Sequence, residues 1–220
     1  MTHHGFRAAG IALEARASGA LWLPEGRILV VSDLHLGKSE RIARRGGTLL
    51  PPYDTKETLT RLDAEISATD PARVICLGDS FDDPAAAQLP ETAQLWLTRL
   101  MAGRDWVWIE GNHDPGPVAL GGSHRASLSI GPLILRHIAE ENLPQGQLEI
   151  SGHYHPKARL AGQSRPCFLR DARRVILPAF GAYTGGLSVR DPLFSALFGA
   201  EALAVLTGRR ALAVPLSAVG

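Results

Sequence analysis

Hydrophobic and polar positions fall into two textures along this chain. RILVVS (27–32) is an unbroken apolar, β-branched run that breaks at once into DLHLGK, as a buried strand opening into a polar loop should read. VICLG (74–78) before DSFDDP and WVWIEG (106–111) before NHDPGP repeat the pattern. Between the first two runs, DTKETLTRLDAEI predicts a helix: Asp54 and Glu57 stand like a capping box, and Leu59, Leu62 and Ile66 recur at helical spacing. LPETAQLWLTRLMAG predicts a second helix, ending at Gly103. The order is strand, helix, strand, helix, strand.

That alternation implies a sheet with crossover helices, whose loops after the strands gather along one edge, where such folds usually build sites. Beyond residue 125 the runs shorten to ASLSIG, LILRH, LEISGH, RPCFLR, RRVILPAF and ALAVL, which read as strands and turns. A second sheet packed on the first follows. The expected fold class is α/β, a two-sheet β-sandwich flanked by helices, in one domain over residues 1–220.

At 220 residues and 45% hydrophobic, the chain can bury a sizeable core. A formal net charge of +1 gives no global attraction to a polyanion, so any such contact must come from local patches. Cys76 and Cys167 are the two cysteines, too few for a disulfide framework, and Cys76 lies inside an apolar run. Glu14 and Arg16 break the N-terminal run that a signal peptide would need, and Glu201 interrupts the apolar tail around LFSALFGAEALAVL. A soluble, cytoplasmic protein with no membrane contact is the expectation.

Metal-type ligands stand at each strand end: Asp33 and His35, then Asp79 with Asp82 and Asp83, then Asn112, His113 and Asp114. One such loop alone would read as a turn or a helix cap. Three on a single sheet edge read as a site. SGHYHP (151–156) adds His153 and His155; in an extended backbone the two would leave the same face and could grip one ion. Gly78, Gly111 and Gly152 precede Asp79, Asn112 and His153, where each would let the backbone bend sharply. His137 closes LILRH as a strand end should; His124, in the GGSHRAS loop, competes with it, while His3 and His4 fall at a terminus expected to fray.

In chain order, DLH (33–35), GDSFD (78–82), GNHD (111–114), the histidine of LRH (137) and GHYH (152–155) resemble the motifs of the calcineurin-like metallophosphoesterases. DLHLGKSE, LGDSFDD, GHYHPKA, RPCF and LPAFGAYTGG look like a bacterial subfamily associated with an ATP-dependent DNA ligase and a helicase in DNA repair. The resemblance implies that Asp33, His35 and His155 hold one metal, that Asn112, His137 and His153 hold another, and that Asp79 bridges them. It also implies His113 as general acid, oriented by Asp82. Two divalent ions would supply an activated water nucleophile and neutralise phosphate charge. The nitrogen and oxygen donors suit Mn, with Fe or Zn as alternatives.

Lys38, Arg41, Arg44 and Arg45 follow the first motif, and Lys157 and Arg159 the last; they could meet the phosphates of a DNA substrate, with Lys38, Arg41 and Arg45 the leading candidates. The resulting expectation is a binuclear-metal phosphodiesterase, a DNA endonuclease in repair, functionally associated with a DNA ligase and helicase. A phosphatase or small-nucleotide phosphodiesterase, and a non-catalytic metal-binding scaffold, are the rival readings.

Overall fold

Two mixed sheets stack face to face. The computed structural model describes residues 2–39, 42, 53–82, 89–114, 116 and 120–220. The first sheet runs β1 (His3–Ala8), β2 (Ile11–Arg16), β3 (Leu21–Leu23), β4 (Ile28–Val31), β5 (Arg73–Leu77), β6 (Asp105–Ile109), β7 (Ser123–Arg125), in that spatial order. Its first three strands form an antiparallel meander, and β4 to β7 are parallel. Helices α1 (Asp54–Thr69) and α2 (Glu91–Met101) are its crossovers.

The second sheet comprises β8 (Ser127–Ile130), β9 (Leu133–Arg136), β10 (Leu148–Ser151), β11 (Lys157–Leu160), β12 (Gln163–Arg170), β13 (Arg174–Ile176), β14 (Leu203–Leu206) and β15 (Leu212–Pro215). Its order is β15-β14-β12-β13-β10-β9-β8, with β11 paired to β12. Here β9, β10 and β13 are parallel.

Both faces of each central strand are covered, which is why the sequence shows continuous apolar runs rather than alternation. Val30, Ile75, Leu77, Val107 and Ile109 point inward against Leu135, Ile150, Phe168 and Val205 of the facing sheet. Leu29, Val31, Val74, Trp106 and Trp108 point outward and bury Leu59, Leu62 and Ile66 of α1 and Leu97 and Leu100 of α2. A third cluster covers the far face of the second sheet, with Phe194 and Leu197 of α3 (Pro192–Leu197) on Leu169, Ile176 and Leu206.

Two local expectations change. His3 and His4 do not fray: they sit in β1, paired with Arg16 and Ala15 of β2. The capping box on α1 does not form. Asp54 is already helical, and its buried carboxylate accepts from Ser39 N (3.1 Å) and Ser39 Oγ (2.7 Å), tying the helix start to the loop after β4. Among the described residues no helix is long and apolar enough to cross a membrane.

One buried ion pair braces the second sheet. Glu149 on β10 accepts from Arg174 Nε on β13 at 3.0 Å and from Glu140 N at 3.0 Å. The Arg174 guanidinium also donates to the carbonyls of Leu197 (2.9 Å), Glu141 (2.8 Å) and Glu140, so β10, the loop after His137 and the end of α3 are pinned to one side chain. Removing Arg174 would leave the buried Glu149 carboxylate with Arg136 alone, its Nε 3.4 Å from Oε1. Arg174→Met is expected to cost about 3–5 kcal/mol in urea unfolding, and Arg174→Met with Glu149→Leu to recover much of it.

Candidate metal centre

Parallel pairing brings the ends of β4, β5 and β6 to the same edge as the ends of β9 and β10. The loops there are cross-linked through the main chain. Asp33 N donates to Gly78 O (3.2 Å), His35 N to Asp79 O (2.9 Å) and Gly152 N to His137 O (2.9 Å). The loop after β13 closes over them, Phe180 N donating to Ser32 O (2.8 Å) and Gly181 N to Asp33 O (3.0 Å).

Asp33, His35, Asp79, His153 and His155 all have left-handed backbones, with φ of 53°, 45°, 46°, 70° and 47°. Such conformations are costly for residues with a Cβ and persist only where the surroundings over-determine them. The extended-backbone argument for His153 and His155 therefore does not apply, and the two rings part company.

Two clusters result. In the first, His155 Nε2 lies 3.1 Å from Asp33 Oδ1 and 3.4 Å from His35 Nε2. Asp33 Oδ1 is buried, and its nearest polar neighbour is His155 Nε2. In the second, His137 Nε2 stands 3.3 Å from Asp79 Oδ2, 3.1 Å from His153 Nδ1 and 3.1 Å from Asn112 Oδ1. The opposite nitrogen of His137, Nδ1, faces Leu77 O at 2.8 Å, an arrangement in which it donates and Nε2 presents a lone pair. Ring nitrogens facing each other beside an unpartnered carboxylate oxygen are what a cation would reconcile. The nitrogen and oxygen donors fit a divalent metal in each cluster.

The charges agree. Burial works to raise the Asp33 carboxyl, but His155 beside it, with help from His137 and Ser32, holds it below its ordinary value. At Asp79 burial is again outweighed, by the bond and charge of His137 and the His113 amide, which bring it to about 2. His137 loses from burial but is raised overall by Asp79 and Asp33. His153 is lowered, first by burial and then by His137. Both carboxylates are thus ionised and available as ligands.

His137, and not His124, joins the clusters; His124 stacks on Trp108 with ring centroids 6.4 Å apart. Asn112 is exposed at the rim, and Asp79 Oδ1 accepts from His113 N at 2.8 Å. The ring of His113 meets His35 edge-on, centroids 5.3 Å apart, and its Nδ1 lies 2.9 Å from the main-chain carbonyl of Asp82. The Asp82 carboxylate faces elsewhere, with Oδ1 3.0 Å from His35 Nδ1. The contact that orients His113 is thus a carbonyl, where the sequence suggested a side chain. Lys38 is half-buried, three residues after His35; Arg41, Arg44, Arg45 and Asp83 lie outside the described residues.

Asp114 is a ligand type that joins neither cluster. Buried behind the clusters, it accepts from Asp79 N (2.9 Å), Ser80 N (2.8 Å), Phe81 N (3.2 Å) and Gly111 N (3.2 Å). Burial, and the charge of Asp79, push its carboxyl up to about 6 against those donors. Neither Ser32, whose hydroxyl donates to the neighbouring Asp33 carboxylate, nor Asp114, whose partners are mostly main-chain amides of another loop, carries a sequence motif for this role. The glycines also work differently from expectation. Only Gly78 is left-handed (φ +75°), whereas a Cβ on Gly111 would fall 2.2 Å from Asp79 N and one on Gly152 1.7 Å from Ser32 Oγ.

The calcineurin-like phosphoesterase profile matches residues 26–166. The chain belongs to that family. It is a metal-dependent phosphoesterase. The crystal structure of Pseudomonas putida nuclease MPE is similar to this phosphoesterase at 29% identity and TM-score 0.76, covering 96% of this chain and 100% of that one. Yfce, a phosphoesterase from E. coli, matches at 14% identity and TM-score 0.42 over 73% of this chain and 83% of its own. No curated protein sequence matches.

The phosphoesterase tolerates no side chain at residue 152. Gly152→Ala is expected to lower bound metal per chain, measured by elemental analysis, and to cost about 1–3 kcal/mol of stability through overpacking. Gly5→Ala, where a Cβ meets nothing within 4 Å, should leave metal content unchanged.

Proposed function

We propose that this phosphoesterase is a binuclear phosphodiesterase that cleaves DNA, with residues 1–220 acting as one domain in the cytoplasm. The observation that carries the reading is the pair of neighbouring clusters, Asp33–His35–His155 and Asp79–His137–His153, on one edge beside His113. Asp33, His35 and His155 would hold one ion; Asn112, His137 and His153 the other, with Asp79 between them. When bound, the two ions, Mn by preference, would draw a nucleophile from water and neutralise the phosphate oxygens of an in-line displacement.

His113 is the group suited to protonate the leaving oxygen. Its Nδ1, held at the Asp82 carbonyl, must donate there, so Nε2 is the atom that carries the transferable proton. Lys38, together with Arg41 and Arg45, would bind the phosphate being cut or its neighbour. Likeness to a nuclease at 29% identity over the full length of that chain supports a nucleic-acid substrate. A place in DNA repair beside a ligase and a helicase rests on the motif resemblance.

Metal-free protein reconstituted with Mn should hydrolyse a phosphodiester and cut DNA, single-stranded and duplex being compared directly. Hydrolysis of a phosphomonoester alone would overturn the nuclease reading. His113→Ala should keep its metal while losing about 10²–10⁴-fold in kcat on DNA. The loss should shrink on a nitrophenyl ester, whose leaving group needs no proton.

A further inference from the structure

The edge that carries the two clusters continues along the second sheet. β11 begins two residues after His155 and pairs with the first half of β12, Lys157 opposite Pro166. On the other side of β12 runs β14, Cys167 opposite Leu206. Cys167 N reaches Pro156 O at 2.9 Å and Thr207 N reaches Pro166 O at 2.9 Å, so Thr207, where the turn between β14 and β15 begins, stands level with Pro156, and the register carries Arg209 and Arg210 on to the level of Arg159 and Leu160. The turn lies two strand spacings, about 10 Å, to the side. Gly208 N donates to Ala17 O at 2.8 Å, so the turn also meets the β2–β3 connection of the first sheet.

This turn is basic and open. Arg209 and Arg210 are exposed at its tip. Arg165 on β12 supports them, Nε donating to Thr207 O at 2.8 Å and Nη2 to Arg210 O at 3.3 Å. With Gln163, Gly208 and Leu212 these arginines line a cleft of about 800 Å³. Among the described residues none of the three forms an ion pair, and no carboxylate lines the cleft. In a chain of net charge +1, three uncompensated guanidiniums in one cleft concentrate the positive field that a polyanion would meet.

We propose that the β14–β15 turn binds the phosphate backbone of the DNA strand being cut, through Arg209 and Arg210, with Arg165 positioning the turn. This rests on the nuclease reading. The sideways offset of about 10 Å, with a further ~7–10 Å along the strands, spans several phosphate steps of a nucleic-acid strand. A mononucleotide carries one phosphate and cannot occupy the clusters and the turn together; a polynucleotide can.

The test is Arg209→Ala with Arg210→Ala in the Mn-loaded protein, alongside the charge-reversed pair Arg209→Glu and Arg210→Glu. Both positions are exposed, so the fold should survive. KM for a twenty-nucleotide DNA should rise about tenfold with kcat little changed, and the slope of log affinity against log salt should fall by about 1–2. Turnover of bis-nitrophenyl phosphate, which ends at the clusters, should not move. DNA cleaved with unchanged KM and salt slope would overturn this inference and leave the nuclease reading standing. Equal loss on both substrates would overturn it too. Wild-type protein that hydrolyses the small diester and cuts no DNA would sink the nuclease reading, and this inference with it.

Discussion

Burial of the Asp33 carboxylate is the constraint on which the site depends. The side chain is fully withdrawn from water, at a cost that only close partners can offset. Ser32 Oγ and His153 N donate to Oδ2, which leaves Oδ1 facing His155 with no hydrogen bond of its own. One oxygen is thereby used to build the site and the other is left for what the site is to bind. The same division recurs at Asp79, whose Oδ1 accepts from His113 N while Oδ2 faces His137.

Holding these atoms requires five left-handed residues, each costing on the order of 1–3 kcal/mol. The sheets beneath supply rigidity, and main-chain bonds between loops supply the rest. Asp114 gathers four amides from two loops, and Gly111 and Gly152 let those loops approach more closely than any Cβ permits. Asp82 serves both sides of the site, its carbonyl meeting His113 and its carboxylate meeting His35. Orientation of the His113 ring and of the first cluster is therefore coupled through one residue.

The same edge gives the site its surroundings. Because β9, β10, β13 and β14 all run in one direction while β12 runs antiparallel between β13 and β14, the ends of those strands, and the turn after β14, emerge together. Chemistry and charge share one margin of the sandwich, which suits a substrate longer than a single phosphoester.

The sequence by itself determined the alternating half of the fold and the residue types of the clusters. Apolar runs ending in Asp, Asn and His are visible without coordinates, because buried parallel strands must be apolar on both faces. Hairpin β1–β2 was invisible since its half-buried strands carry His3, His4 and Arg7 among the apolar residues. The motif resemblance already assigned His153 and His155 to different ions; the tertiary structure supplied the physical means, left-handed backbones imposed by contacts with other loops. It alone set Asp114 behind the site, gave His113 a carbonyl in place of a carboxylate, and lifted Arg165, Arg209 and Arg210 to the working edge. Those outcomes depend on strand order and register, which no local pattern encodes.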